Sequence, residues 1–510
     1  MVKKAPDAAR SSSLWVTVHS GLDRKEYLRY CRGVEFSSAE AVFAYLDRFI
    51  SADVWAIPKC MRAERLRLLA EAGGHPERCA PAFHVAGSKG KGSVTGMIAA
   101  ALDAAGWRVM WYASPHVADA RERIMRGRGF LDEAVYTACG EEVKALCDRL
   151  CDPARPEYRL FHGNEKNGYP PTYFELLTFF FFFCARNAGA EVQVVETGLG
   201  GRFDPTNVVD PLVSVISVIE LEHTAFLGNT LAEIAFEKAG IIKPGKPVVL
   251  AEQQAEALPV FQKVAKEKNA PLFYLPDLVS IEDIRVSDRG TRFTLVPKDR
   301  AVFPKTVELS IGIPGAVQAK NAALAVAALK VAALGLPSGT AYRVAEIGDD
   351  VIAAALGSFS LPARFEKIAD DPPVVIDGAH TALSVELAVR EWAALYGEGG
   401  VLLFGCAKDK NVQAMARALL PHFSHIVITA PGSYKASRPQ AVFDVFTEEA
   451  ARINPSCTIT LISGTQDAVD AALAESRARN APFFCTGSFY LAAEARERVI
   501  APSGKEKGDR

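Results

Sequence analysis

The sequence predicts an α/β protein: a larger domain of the P-loop type on a mostly parallel sheet, then a smaller Rossmann-like α/β domain. Three observations predict it. A glycine run, Gly87-Ser88-Lys89-Gly90-Lys91-Gly92-Ser93, stands between an apolar strand-like stretch, Phe83–Ala86, and a helix-like one, Val94–Leu102. Short apolar strands then alternate with helical patterns, which implies a parallel sheet covered on both faces. From about residue 359 the same rhythm restarts without a second glycine loop.

At 510 residues the chain is long enough for two or three full cores. Charged residues make up 23% and apolar residues 49%, the balance of a soluble globular protein. A net charge of -2 gives no support to a nucleic-acid scaffold or a polybasic membrane binder, so neither nucleic acid nor membrane is expected as a partner. The ten cysteines form no paired framework. Cys147 and Cys151 lie one helical turn apart without a CxxC, so a zinc site is not expected and a reduced, cytoplasmic compartment is. Met1–Pro6 lacks the apolar core of a signal peptide, although the nearby Arg, Ala and Ser leave an organelle transit peptide open. The most apolar run, Leu176 to Ala185, is too short to span a bilayer and reads as a buried helix.

In chain order, residues 1–35 are polar and mixed and predict a flexible extension. The larger domain is expected over 36–358. From Ser38 to Ala72 the pattern is helical: Ser37-Ser38-Ala39-Glu40 could cap the start, and Val42, Phe43, Leu46, Phe49 and Ile50 could form one apolar face. A second helix over Met61–Leu69 is ended by Gly73-Gly74. Arg108–Ala113, Gln193–Thr197 and Val213–Val218 read as strands, and Leu231–Lys238 as a helix. A more β-like section runs from about Pro271 to Leu309, followed by a helix over Ala319–Leu334. Gly335-Leu336-Pro337-Ser338-Gly339 then breaks the chain before one more helix. The smaller domain is expected over 359–510, with strands at Val374–Asp377, Val401–Phe404, His425–Thr429, Cys457–Leu461 and Phe483–Thr486.

A strand, glycine loop and helix together form a phosphate cradle, because backbone N–H groups and the helix N-terminus supply positive charge. Lys91 then reaches the outer phosphates of a nucleotide. The match is imperfect: Gly92 follows Lys91, and Ser93 comes one residue late. For the loop alone, a glycine turn without a ligand is the plain alternative. Ligands of parallel sheets sit at the carboxyl ends of strands. Ser114, His116, Glu196 and His223 all fall there. Glu196 and His223 can both bind a divalent cation, with Ser114 as a third ligand, and phosphoryl transfer needs such a cation. Singly, each reads more simply as a hydrogen-bonded glutamate and a satisfied core histidine; together, beside a phosphate loop, they favour the cation.

Lys238, near a helix C-terminus with Gly240 as its cap, reads as structural. Asp377 and His380 end the first strand of the smaller domain, with Arg364 just upstream. An aspartate there could bind ribose, a histidine could orient a substrate, and the arginine could swing onto a phosphate. Without context, a turn aspartate and a surface arginine are the simpler reading.

Taken together, these stretches resemble the folylpolyglutamate synthase/dihydrofolate synthase family of the Mur ligase superfamily, from about Met61 to Tyr490. The glycine loop resembles GTNGKGS, Ser114-Pro115-His116 resembles SPH, and Glu196–Asn207 resembles EVGLGGRLDATN. Leu221-Glu222-His223-Thr224 resembles LDHT, and Glu237–Ile241 resembles EKAGI. Asn321-Ala322-Ala323, Arg364-Phe365-Glu366, Asp377–His380 and Lys408-Asp409-Lys410 resemble later blocks.

The resemblance implies a first domain like the Mur ligase central domain. It implies ATP-dependent amide formation, in which the γ-phosphate moves to a carboxylate and the amine of L-glutamate attacks the acyl phosphate. The acceptor would be a folate or dihydropteroate. Lys91, Lys238, His223 and His380 would be catalytic. Gly87 to Ser93 would hold phosphates, and Asn321, Arg364, Asp377 and His380 would contact ATP across the domain cleft. Ser114, Glu196 and His223 would bind Mg²⁺, and a carbamylated Lys238 would hold a second Mg²⁺. A monovalent cation and a monomeric state are further expectations.

Some positions depart from the family. Ser88-Lys89 replaces Thr-Asn, Glu222 replaces an aspartate as a longer acid behind the metal ligands, Thr381-Ala382 replaces Asn-Pro, and Val317 stands where His is frequent. A Mur-type cell-wall ligase is the near alternative; the Gly-Lys-Gly-Ser loop and the lack of a separate N-terminal UDP-binding domain speak against it. A non-catalytic P-loop regulator is the other, and it would have no use for Glu196, His223 and Lys238.

Overall fold

The computed structural model describes residues 35–50, 59–152, 154–155, 158, 171–334, 347–432 and 436–500. The expected extension, but for residue 35, and the break at 335–339 lie outside the described residues. The chain divides into two compact units between Leu361 and Pro362.

In the first unit, β1 (Ala82–Ala86), β2 (Val109–Tyr112), β3 (Ile124–Arg126), β4 (Val192–Glu196), β5 (Pro211–Ile216), β6 (Val248–Leu250) and β7 (Leu272–Tyr274) form one sheet. Its order is β3-β2-β4-β1-β5-β6-β7. Neighbours run parallel except β2 and β3. Every residue of β1, β2 and β4 is buried, which is why they read as continuous apolar runs and not as alternating ones. Helix Lys91–Ala104 is enclosed from Ser93 to Leu102. Its small residues let it pack against helices Ala316–Leu334 and Asp349–Gly357. Among the described residues, Ala316–Leu334 is the one helix long and apolar enough to cross a membrane; 67% of it is buried in the protein.

The β-like stretch after residue 271 divides in two. β7 joins the large sheet. β8 (Val279–Ser287), β9 (Gly290–Pro297) and β10 (Val307–Ile311) form a separate antiparallel sheet. Val307, Leu309 and Ile311 alternate inward, so β10 lays one face on the core.

The N-terminal helical pattern forms helices Ala39–Asp47 and Lys59–Ala72; residues 51–58 lie outside the described ones. Ser38 caps the first of them, its Oγ accepting from the Ala41 N–H at 3.2 Å. The phenylalanine-rich helix Tyr173–Asn187 starts with a capping box between Thr172 and Glu175. Glu175 also receives Arg65 in a two-pronged pair, Nε at 3.0 Å and Nη2 at 2.8 Å, with both side chains buried. A buried guanidinium needs such a partner.

The second unit carries β11 (Glu366–Asp370), β12 (Pro373–Ile376), β13 (Gly400–Phe404), β14 (Phe423–Ile428), β15 (Thr458–Leu461) and β16 (Phe483–Thr486) in the order β11-β12-β16-β13-β14-β15. All pairs are parallel except β11 with β12. Its core centres on Trp392, stacked on Phe484 with ring centres 4.9 Å apart. Edge strand β11 has no counterpart in the sequence reading.

Candidate active site

After β1 the chain turns through Gly87 (φ 148°) and Gly90 (φ 83°) into the helix that begins at Lys91. Both positions require glycine. A Cβ on Gly87 would overlap Ser217 Oγ, and one on Gly90 would overlap Asn321 Oδ1. Asn321 is thereby brought against the loop, with its Nδ2 donating to Gln318 Oε1 at 3.0 Å. The loop is tied to the segment after β5. The Ser88 and Lys89 N–H groups donate to the Val218 carbonyl at 2.9 and 3.4 Å. Ser88 Oγ donates to the Glu220 carbonyl at 3.1 Å, and Ser217 Oγ to the Lys89 carbonyl at 2.6 Å. The N–H groups of Ser88 and Lys89 are thus engaged within the protein. The N–H groups of Lys91, Gly92 and Ser93 begin the helix and have no carbonyl within it to meet.

Two ammonium groups converge on one carbonyl. Lys91 Nζ donates to the Gly87 carbonyl at 2.9 Å and to that of Ser88 at 3.4 Å. Lys238 Nζ donates to the same Gly87 carbonyl at 2.7 Å and to Glu222 Oε1 at 2.9 Å. Burial, then the charge of Lys91, lowers the Lys238 amine to about 8. Burial alone would raise Glu222, but Lys238, Lys91 and Lys89 hold its carboxyl down at about 2.

Lys238 is therefore no surface capping lysine; its side chain is 1% exposed. Gly240 is the C-cap of its helix, as expected, but its φ of -58° is open to any residue, so capping alone does not require glycine there. Glycine is needed there for close approach. A Cβ on Gly240 would overlap the Arg202 backbone, and one on Gly201 would lie 3.0 Å from the Lys238 carbonyl. The Arg202 N–H donates to the Glu237 carbonyl at 2.8 Å, fastening loop to helix end. Gly240→Ala is expected to cost about 1–3 kcal/mol, read as a lower urea midpoint together with lost turnover. An unchanged midpoint would show that the two backbones can part freely.

Glu196 closes β4 opposite Val85 of β1, beside the start of the loop. It is buried, and its Oε2 accepts the Ser114 N–H at 3.1 Å. The structure thus joins Ser114 to Glu196, and Lys238 to Glu222. His116 accepts Arg123 Nε at 2.8 Å, and burial with that guanidinium lowers its imidazole to about 4, which keeps the ring neutral. His223 is exposed, lies seven residues beyond β5, and has a left-handed backbone (φ 47°) heading the short helix Thr224–Leu227. Among the described residues no three His, Cys, Asp or Glu side chains group as a metal cage.

In the second unit Arg364 stands between two left-handed non-glycine residues, Ala363 (φ 51°) and Phe365 (φ 47°). Each such residue costs roughly 1–3 kcal/mol and persists only where its surroundings hold it. Here Asp377 does so: Oδ2 accepts the Phe365 N–H at 2.8 Å and Oδ1 the Ala379 N–H at 2.7 Å. The Gly378 N–H donates to the Ala363 carbonyl at 2.9 Å. Burial raises the Asp377 carboxyl, against those N–H groups and Arg364. Both oxygens of Asp377 clamp this turn. His380 donates from Nδ1 to the Gly378 carbonyl at 2.9 Å, which fixes its tautomer when neutral. The Arg364 guanidinium lies 4.2 Å over the centre of the Phe489 ring. Sequence reasoning missed Phe489, Arg123 and the pairing of Glu222. The available signal for Phe489 was its place just past the strand end Thr486-Gly487-Ser488.

Known proteins share this fold and much of this sequence. Residues 363–489 match the family model described as Mur ligase, glutamate ligase domain. The dihydrofolate synthase/folylpolyglutamate synthase of Bacillus subtilis is 31% identical over 439 residues, covering 85% of this chain and 94% of that protein. The structure of Mycobacterium tuberculosis folylpolyglutamate synthase complexed with ADP superposes with a TM-score of 0.76 at 26% identity, over 91% of this chain and 99% of that one. Escherichia coli FolC in complex with DHPP and ADP gives 0.73 at 25% identity, over 92% and 99%. Identity of 31% over 94% of a relative, on a fold shared over about nine-tenths of this chain, places it in the folylpolyglutamate synthase/dihydrofolate synthase family.

Proposed function

We propose that the protein is an ATP-dependent ligase joining L-glutamate to a folate, either a tetrahydrofolate or dihydropteroate, through an acyl phosphate. The observation that carries this reading is the convergence of Lys91 and Lys238 on the Gly87 carbonyl, beside buried Glu196. The γ-phosphoryl group passes from ATP to the substrate carboxylate, releasing ADP. The glutamate amine then attacks the acyl carbon, phosphate leaves, and the amine gives up a proton. The charge that builds on the phosphoryl oxygens must be met by fixed positive groups. Lys91 and the first N–H groups of its helix supply them, with Asn321 at the edge of the loop. In this reading Arg364 adds a guanidinium for the nucleotide phosphates and His380 orients the substrate.

Glu196 and Ser114 offer hard oxygen donors beside the loop and fit Mg²⁺, with His223 as a further ligand. A divalent cation held there would supply positive charge against the charge that develops on the phosphates. In the described form Lys238 is an ammonium paired with Glu222, so a second metal would require its carbamate. A monovalent cation, a monomeric state and a cytoplasmic setting complete the proposal.

ADP release that requires both glutamate and either tetrahydrofolate or dihydropteroate tests the activity, with the two acceptors compared side by side. ADP release driven by a cell-wall nucleotide acceptor would favour the Mur-type alternative, and nucleotide binding without turnover would favour a regulator. A crystal soaked with an ATP analogue and Mn²⁺ is expected to show anomalous density against Glu196 and Ser114. Full nucleotide occupancy with that density elsewhere would remove both from the metal site.

A further inference from the structure

The strained turn around Arg364 leads to a contact with no part in the chemistry above. The left-handed Ala363 and Phe365 fix the Arg364 backbone, but a long side chain on a fixed backbone still has many rotamers. The Phe489 ring, first residue of helix Phe489–Ile500, lies under the guanidinium at 4.2 Å. The ring fills the space in front of Gly378, where any Cβ would overlap its Cε1 and Cδ1. The His380 ring stands 5.6 Å away on the same turn. Strand end, strained turn and helix start therefore converge on one aromatic face.

We propose that Phe489 is a positioning residue of the ligase reaction: its ring holds the Arg364 guanidinium in the orientation that meets the nucleotide phosphates. This rests on the reading of Arg364 as a nucleotide contact. A guanidinium stacks through its face and hydrogen-bonds through its edge, so a ring beneath it does not occupy that edge, where Arg364 Nη1 donates to the Ala363 carbonyl at 3.4 Å. Gly378 belongs to the same device, since only glycine lets the ring lie there.

The experiment is a double-mutant cycle between positions 489 and 364 in the full-length enzyme, reading KM for ATP and the Kd of a nonhydrolysable ATP analogue. Neither quantity depends on how much of a preparation is folded. Phe489→Leu is expected to raise both by about three- to twentyfold, the span of a cation–π contact, and to leave both unchanged in an Arg364→Ala background. Phe489→Tyr keeps the ring and is expected to restore the parent values. Gly378→Ala pushes the ring away and is expected to reproduce Phe489→Leu. Equal effects of Phe489→Leu in both backgrounds would overturn the proposal and leave the ring as packing alone. An Arg364→Ala enzyme with the parent KM and Kd would overturn the assignment of Arg364 itself, and the positioning role would fall with it.

Discussion

Lys91→Ala is expected to lower turnover by about 100-fold or more while the protein stays folded. The side chain begins a helix, and its Nζ meets carbonyls of its own loop at 2.9 and 3.4 Å. Its removal therefore breaks no buried ion pair and is expected to cost little stability. The loss falls on phosphoryl transfer, where a fixed cation opposite the outer phosphates lowers the barrier directly. A second contribution comes through Lys238, which Lys91 helps to depress; without Lys91 that amine moves back toward its ordinary range. Single-turnover ADP formation with unchanged circular dichroism is the measurement. Near-parent turnover in a folded Lys91→Ala protein would remove the loop from the chemistry.

The second large effect is expected at Lys238, where Ala should leave about a thousandth of the parent turnover. The fold is expected to survive: Glu222 loses its ion pair, but the charges of Lys91 and Lys89 still act on it. Two chemical forms of Lys238 make opposite claims. As an ammonium it braces the Gly87 carbonyl and Glu222, as described. As a carbamate it presents an anion to a metal. Only a neutral amine captures CO₂, releasing one proton, and an amine lowered to about 8 is roughly one-tenth neutral at pH 7, far more than an ordinary lysine. Formate or acetate restoring activity to Lys238→Ala, with CO₂-dependent activity in the parent, is the outcome expected of the carbamate. Restoration by methylammonium instead, without CO₂ dependence, would establish the ammonium.

Much of this was legible in the sequence because burial writes itself as apolar runs. The strands β1, β2, β4 and β5 and the parallel strands of the second unit could be found that way. β11 could not, since Glu366-Lys367-Ile368-Ala369-Asp370 lies half-buried at an edge and lacks an apolar run. The three-residue strands β6 and β7 are too short to show a period. At the site, strand ends led to Glu196 and Ser114, and the glycine run led to Lys91. The partner of Lys238 was hidden because sixteen residues separate it from Glu222 and only the fold brings them together. For Asp377 the residues alone favoured a turn aspartate, and the resemblance implied a nucleotide contact. Its two oxygens hold the backbone of the left-handed Phe365 and of Ala379. Position alone does not distinguish those tasks.

The close approach of Gly201 to the Lys238 carbonyl and of Gly240 to the Arg202 backbone bears on how such a chain can drift. Glu196–Asn207 and Glu237–Ile241 stand far apart in sequence, yet each forms one side of a single backbone junction. The two signatures are thus one inherited constraint written twice, and a lineage that kept one while losing the other would have to rebuild the junction. The least replaceable positions beside Lys238 are those with no side chain to offer. Substitutions accumulated over descent should spare those glycines even where the reactive groups around them are exchanged.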